Sequence, residues 1–210
     1  MKNKGTWPTI ILIIFYGVGI IGITNTDTRF LFASLTPYNL ILTFILFAWA
    51  NNDYRFHFFL TVFIIFICGW SLEWAGVHTG MLFGEYKYGD ALGYKFQQVP
   101  LIIGLNWFLL SATSRGIIKS MFKKDWMVIV LSSLLMTLLD ILIEPVATKL
   151  GFWTWKNNVI PVQNYIMWFI GSVMMQMILQ KSDVKLNFKS CGIVFLLQIL
   201  FFALLNFILK

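Results

Sequence analysis

Residues 139–155 read LDILIEPVATKLGFWTW. They close an apolar run that begins near residue 126, yet they carry two carboxylates four positions apart, Asp140 and Glu144, then Pro145, Gly151, Trp153 and Trp155. About 20 apolar residues in a helix cross a ~30 Å hydrocarbon layer, so residues 126–147 read as a membrane span. Asp140 and Glu144, at i and i+4, share one face of that helix. An ionisable side chain in a span costs roughly 2.5–3.5 kcal/mol on insertion scales, so such residues face the bundle interior and mark a functional path.

Working outward, six further runs are long enough to span, at roughly 8–23, 31–50, 56–77, 99–118, 160–180 and 189–209. Hydrophobic residues make up 59% and charged residues 12%, with a mean hydropathy of +0.78, outside the soluble range. The expected fold is all-α: a polytopic transmembrane helix bundle of about seven spans, residues 1–210 forming a single integral membrane domain. The formal charge of +7 does not imply nucleic acid, because the Lys and Arg sit between spans, where they orient helices. Lys2, Lys4, Arg55, Arg115, Lys119, Lys123, Lys124, Lys181, Lys185 and Lys189 fall on one side. Arg29, Lys87, Lys95, Lys149, Lys156 and Lys210 fall on the other. This bias predicts a multi-pass protein of the plasma or inner membrane with its N-terminus cytoplasmic.

Several familiar patterns lead elsewhere. The basic, apolar opening resembles a signal peptide but has no small-x-small cleavage site, so an uncleaved first span is expected. GVGIIG, Gly17 to Gly22, matches a dinucleotide-binding pattern, but within a span its glycines favour close helix approach. The last span has no mid-helix lysine to hold retinal. Two histidines, His57 and His78, are too few for a membrane di-iron centre. Cys68 and Cys191 form no CxxC pair. No metal and no cofactor is expected.

A third acid, Glu73, lies near the end of the third span, toward the same membrane side as Asp140 and Glu144. The two regions echo each other. After Glu73 come Gly84, Tyr86, Tyr88, Pro100 and Trp107; after Glu144 come Gly151, Trp153, Trp155, Pro161 and Trp168. Asn106 and Asn164 add an amide near the start of each returning helix, and Trp74 flanks the first acid. Spans 3–4 and 5–6 thus read as two pseudo-repeated hairpins, and binding sites often form where such repeats meet. Belt aromatics are common at span ends, and each acid alone could be a partner for Lys149, Lys156 or Arg115. The combination argues for a site: three acids, no matching buried base, and aromatics gathered at one end. Acids shielded from water can divide into a proton donor and a base, and aromatic faces stabilise a cation. Such a pocket suits a reaction passing through a carbocation on an apolar substrate.

The stretches LEWAGVHTGMLFGEYKYGDALGYKFQQVPLIIGLNW and LDILIEPVATKLGFWTWKNNVIPVQNYIMW, within roughly residues 70–170, resemble the two signature regions of the membrane carotenoid 1,2-hydratase family. The family includes the bisanhydrobacterioruberin hydratases. Leu82 and Glu144 stand where that family's pattern often has Pro and Asp. The resemblance implies addition of water across the terminal C1=C2 bond of an acyclic ψ-end carotenoid of the lycopene or γ-carotene type. Glu73, Asp140 and Glu144 would then supply acid and base. Tyr86, Tyr88, Trp153 and Trp155 would shield the cation, and His78 and Asn164 would position water. Trp74, Asn106, Trp107 and Trp168 complete the candidate substrate pocket. The expected partners are the carotenoid, membrane lipid and other enzymes of the pathway. Two alternatives remain: a membrane lycopene-type cyclase, and a proton-coupled transporter. Against the transporter, the polar residues concentrate toward one membrane side.

Overall fold

The computed structural model describes residues 5–209. Lys2, Lys4 and Lys210, counted in the charge bias, lie outside the described residues. In lipid every backbone polar group needs an internal partner, and a helix supplies it. The chain accordingly forms α1 (Thr6–Thr24), α2 (Arg29–Ser34), α3 (Thr36–Asn51), α4 (Phe56–Thr79), α5 (Ile102–Met121), α6 (Asp125–Lys149), α7 (Val162–Lys181) and α8 (Phe188–Ile208). Five of these, α1, α4, α6, α7 and α8, are long and apolar enough to cross a membrane. The protein is thus a membrane-embedded helical bundle.

The expected spans differ from this in two places. Residues 31–50 are not one helix: the chain breaks at Leu35 between α2 and α3, two residues before Pro37. Proline lacks the N–H a continuing helix needs and clashes with the preceding turn. α5 is helical for 20 residues but fails as a span on apolarity, because it lies at the centre. It packs against α3, α4, α6, α7 and α8. Enclosed by protein, it can carry Ser111, Thr113, Ser114 and Arg115, all at most 2% exposed. Arg115, counted among the orienting charges although it falls inside the expected span 99–118, is a buried residue of α5. It donates to the Gln176 carbonyl oxygen at 3.3 Å and to the Gln180 side chain.

Two short strands decide where the site forms. β1 (Tyr86–Tyr88) follows α4, and β4 (Trp153–Trp155) follows α6. They pair antiparallel in the register Tyr86 with Trp155, Lys87 with Thr154 and Tyr88 with Trp153. The two Gly-x-aromatic-x-aromatic loops thus meet as one ribbon across the end of the bundle. Their glycines, Gly84 (φ +106°) and Gly151 (φ +69°), occupy conformations that side chains avoid. Between β1 and α5, β2 (Lys95–Phe96) and β3 (Val99–Pro100) form a hairpin through Gln97 and Gln98, both at positive φ. The ends of α3 and α7 are tied by polar contacts. Asn51 exchanges hydrogen bonds with the backbone of Lys185 and Asn187, Asp53 accepts from the Lys185 backbone N–H at 2.9 Å, and Arg55 bridges Asp53 and Asp183.

In α1, the GVGIIG segment is continuous helix. A Cβ on Gly22 would lie 2.2 Å from the Phe32 ring, so that glycine serves the close approach of α1 and α2.

Candidate active site

Glu73 sits on α4 between two glycines that share its face, Gly69 at i−4 and Gly76 at i+3. A Cβ on Gly69 would lie 2.5 Å from Trp107 Cγ, and one on Gly76 2.5 Å from Phe83 Cδ2. The helix is hollowed on both sides of the acid so that rings can close over it. The carboxylate, 4% exposed, accepts from Tyr86 Oη at 2.6 Å and Tyr88 Oη at 2.8 Å on Oε2. Its Oε1 accepts from Trp107 Nε1 at 3.1 Å. Burial, and then the Glu73 charge beside them, push the Tyr86 and Tyr88 phenols well above their ordinary range. Both therefore stay protonated.

Glu144 on α6 is held in parallel fashion by the other loop. Its Oε2 accepts from Trp153 Nε1 at 3.0 Å and Trp155 Nε1 at 2.8 Å. Its Oε1 accepts from Asn164 Nδ2 at 3.0 Å. The same amide reaches Asp140 Oδ2 at 3.1 Å. Asp140 Oδ1 is buried with no hydrogen-bond partner among the described residues. Among those residues, too, none of the three acids has an ion-pair partner. Lys156 pairs with Glu85 at 2.7 Å, Lys149 donates to the Leu209 carbonyl, and Arg115 is held by Gln176 and Gln180. Removing one partner of a buried charge normally costs several kcal/mol. Here fixed neutral donors, chiefly indole and phenol groups, take the place of a cation.

The rings interlock. Trp107 and Trp168 stack with centroids 4.4 Å apart and planes 10° from parallel. Tyr86 packs on Trp155 at 4.9 Å, and Tyr88 meets Trp153 edge-on at 6.0 Å. Between them lies a cavity of about 30 Å³ lined by Glu73, Glu144, Tyr86, Tyr88, Trp153, Trp155, Asn106, Asn164 and Trp168, closed by Phe83, Ile103 and Ile143. A water needs roughly 10–15 Å³ of such space, so the cavity matches one or two waters between two acids.

Not every sequence candidate comes here. Asp140 is wholly buried but does not line the cavity; it touches Asn164 from behind. Trp107 bonds Glu73 and stacks on Trp168 without lining the cavity. Trp74 is 38% exposed and donates to Gln97 Oε1 at 2.6 Å, away from Glu73. His78 bonds the Trp74 carbonyl oxygen at 2.9 Å. It lines an outer vestibule with Glu85, Lys87 and Lys156, and Tyr86 and Trp155 form the wall between vestibule and cavity. Phe83, Ile103 and Ile143 carry no sequence signal of the site, because nothing distinguishes them from ordinary core residues. Among the described residues no group of three His, Cys, Asp or Glu side chains could hold a metal.

A family model described as "Carotenoid biosynthesis protein" matches residues 35–209. The chain belongs to the carotenoid biosynthesis protein family. The match takes in both acids of the cavity, the paired strands and the returning helices α5 and α7. No curated protein and no solved structure matches the chain. Membership of this family implies a carotenoid substrate, and the buried acids lie inside a bundle of membrane-length helices.

Proposed function

We propose that the protein is a carotenoid hydratase, adding water across the terminal C1=C2 bond of an acyclic carotenoid end. The observation that carries this reading is the water-sized cavity shared by Glu73 and Glu144, both held by neutral donors. A proton delivered to C2 leaves a tertiary cation at C1. The water's oxygen then bonds C1 and gives up a proton to a base, so the net change is one water gained and a 1-hydroxy end formed.

The partners of each acid divide the roles. Indole N–H groups and the Asn164 amide nitrogen only donate, so Glu144 is held as an acceptor. It acts as the base. Trp107 holds Glu73 Oε1 as an acceptor, but among the described residues Oε2 meets only the hydroxyls of Tyr86 and Tyr88. Hydroxyls both donate and accept, so a proton can pass through them to Oε2, and Tyr86 also faces the outer vestibule. Glu73 acts as the acid, resupplied from that side. Asp140 positions Asn164 and so Glu144. The faces of Tyr86, Trp153, Trp155 and Trp168 stabilise the cation, an effect that grows when water is excluded. We place the protein in a plasma or inner membrane; the charge bias that remains once Arg115 is set aside supports a cytoplasmic N-terminus, which turns the vestibule away from the cytoplasm.

Expression in cells that accumulate lycopene or γ-carotene tests the proposal. A pigment heavier by one water is expected; an isomer of unchanged mass would support cyclisation instead and sink hydration. Glu73→Gln and Glu144→Gln proteins should insert normally and lose the product. Full conversion by both would remove these acids from the reaction. One observation favours a transporter: buried polar groups continue past the site through Ser111, Ser114 and Gln176. That row ends on Arg115, whose fixed positive charge opposes the passage of protons or cations.

A further inference from the structure

The acid cavity is too small for a terpene end group, so the alkene must approach it from adjoining space. That space exists on one side. Ile103, Asn106, Ile143 and Trp153 form a common wall between the acid cavity and a second compartment of about 70 Å³. This second compartment shares Thr36, Asn39 and Phe201 with a third, of about 330 Å³, set among α1, α2, α3 and α8. The three are neighbours divided only by these shared side chains, and their volumes grow away from the acids. The outermost is bordered by Phe15, Val18, Leu35 and Tyr38, each more than 40% exposed on the apolar flank of the bundle. Its lining is overwhelmingly apolar, whereas the vestibule on the far side of Tyr86 carries Glu85, Lys87 and Lys156.

Resting on the hydratase reading above, we propose that this row of compartments is a lateral passage through which a linear polyene slides from the lipid, terminus first, until its end alkene meets the Glu73–Glu144 cavity. Water and protons arrive from the opposite, polar side. A long apolar rod fits the row because its outer end lies on the exposed apolar flank, its walls are mostly apolar, and its inner end shares four residues with the acid cavity. A second observation points to what leaves. Gln198, 4% exposed, faces the middle compartment, and among the described residues its Oε1 has no partner, nor does the Oδ1 of Asn39. Such atoms are costly to bury unsatisfied, and a 1-hydroxy end withdrawing along the passage supplies the donor they lack. The passage therefore takes an apolar rod inward and offers hydrogen-bond acceptors to an alcohol outward.

The test uses the full chain purified into phosphatidylcholine vesicles with lycopene. An achiral polyene acquires visible circular dichroism when a protein holds it, so binding is read independently of conversion. Gly19→Trp narrows the outer compartment from α1, where a Cβ already lies 3.4 Å from Phe201. Thr36→Trp narrows the junction from α3. Gly17→Trp, whose Cβ meets nothing within 4 Å, is the control on the same helix. The expected result is an induced signal in wild type and Gly17→Trp, lost in both narrowing variants, each shown folded by its far-ultraviolet spectrum and monodisperse elution. An unchanged signal in the folded narrowing variants, or none in wild type, overturns the passage. A signal in wild type that vanishes on narrowing, without any pigment gaining water, leaves the passage standing and sinks the hydratase reading alone.

Discussion

Glu144→Gln offers the sharpest test of how the site is wired. Both Trp153 and Trp155 donate to Oε2, so in the variant the amide oxygen must stay there and the new NH₂ must face Asn164. Asn164 currently points its own NH₂ at that position. Two donors cannot face each other, so Asn164 must flip and present its oxygen to the substituted side chain's nitrogen. The flip removes the donor from Asp140 Oδ2, which has no other partner among the described residues, while Oδ1 already has none. Leaving a buried acceptor unpaired costs roughly 1–3 kcal/mol, so the single variant should lose about that much. With Asp140→Asn in the same chain, a neutral amide at that position donates to the flipped oxygen and most of the loss returns. Thermal unfolding in detergent of wild type, both singles and the double completes the cycle. A coupling of at least ~1 kcal/mol is expected; additivity within about 0.5 kcal/mol, the figure for independent sites, would refute the shared-amide account. On the proposed hydratase mechanism activity should not return in the double, since Glu144 is still replaced.

Two further outcomes follow from the packing. Gly69→Ala places a methyl 2.5 Å from Trp107 Cγ, and Trp107 cannot retreat without leaving Glu73 or Trp168. Overpacking of this kind costs about 1–3 kcal/mol, so melting temperature and product yield should fall together; an unchanged pair would show that the indole is free to move. Asp53, whose pKa is lowered to about 2 chiefly by its hydrogen bond to Arg55, adds stability that is present above its unfolded value near 4 and is lost as pH falls toward 2. Asp53→Asn should flatten that limb of an acid-unfolding profile, and a limb identical to wild type would show that the Arg55 pairing adds nothing.

Much of the site is legible in the chain because its chemistry sits in short-range patterns. An acid at a helix end, a positive-φ glycine and two alternating aromatics need only a few residues to declare themselves, and both loops do. Depth and direction are harder to read. The i, i+4 spacing places Asp140 and Glu144 on one face, but not that Asn164 stands between Asp140 and the cavity. Trp74 and His78 are near Glu73 in sequence, although one and five residues along a helix point well away from it. Gly69 and Gly76, at i−4 and i+3, mark the true face of the site. Arg115 reads as a loop charge because a basic residue in an apolar stretch usually orients the chain. Gln176 and Gln180, one turn apart on α7, are the sign that something polar is received there. Pro37 likewise foretells the break between α2 and α3.

The ribbon of β1 and β4 has a bearing on biogenesis. Residues 86–88 emerge from the ribosome well before 153–155, so the tyrosine strand waits unpaired through the synthesis of α5 and α6. Until the tryptophan strand arrives, Glu144 lacks its two indole donors and the cavity lacks the wall that Trp153 and Trp155 supply. The compartment between the two acids is thereby finished late, only after the second hairpin has been made and docked on the first.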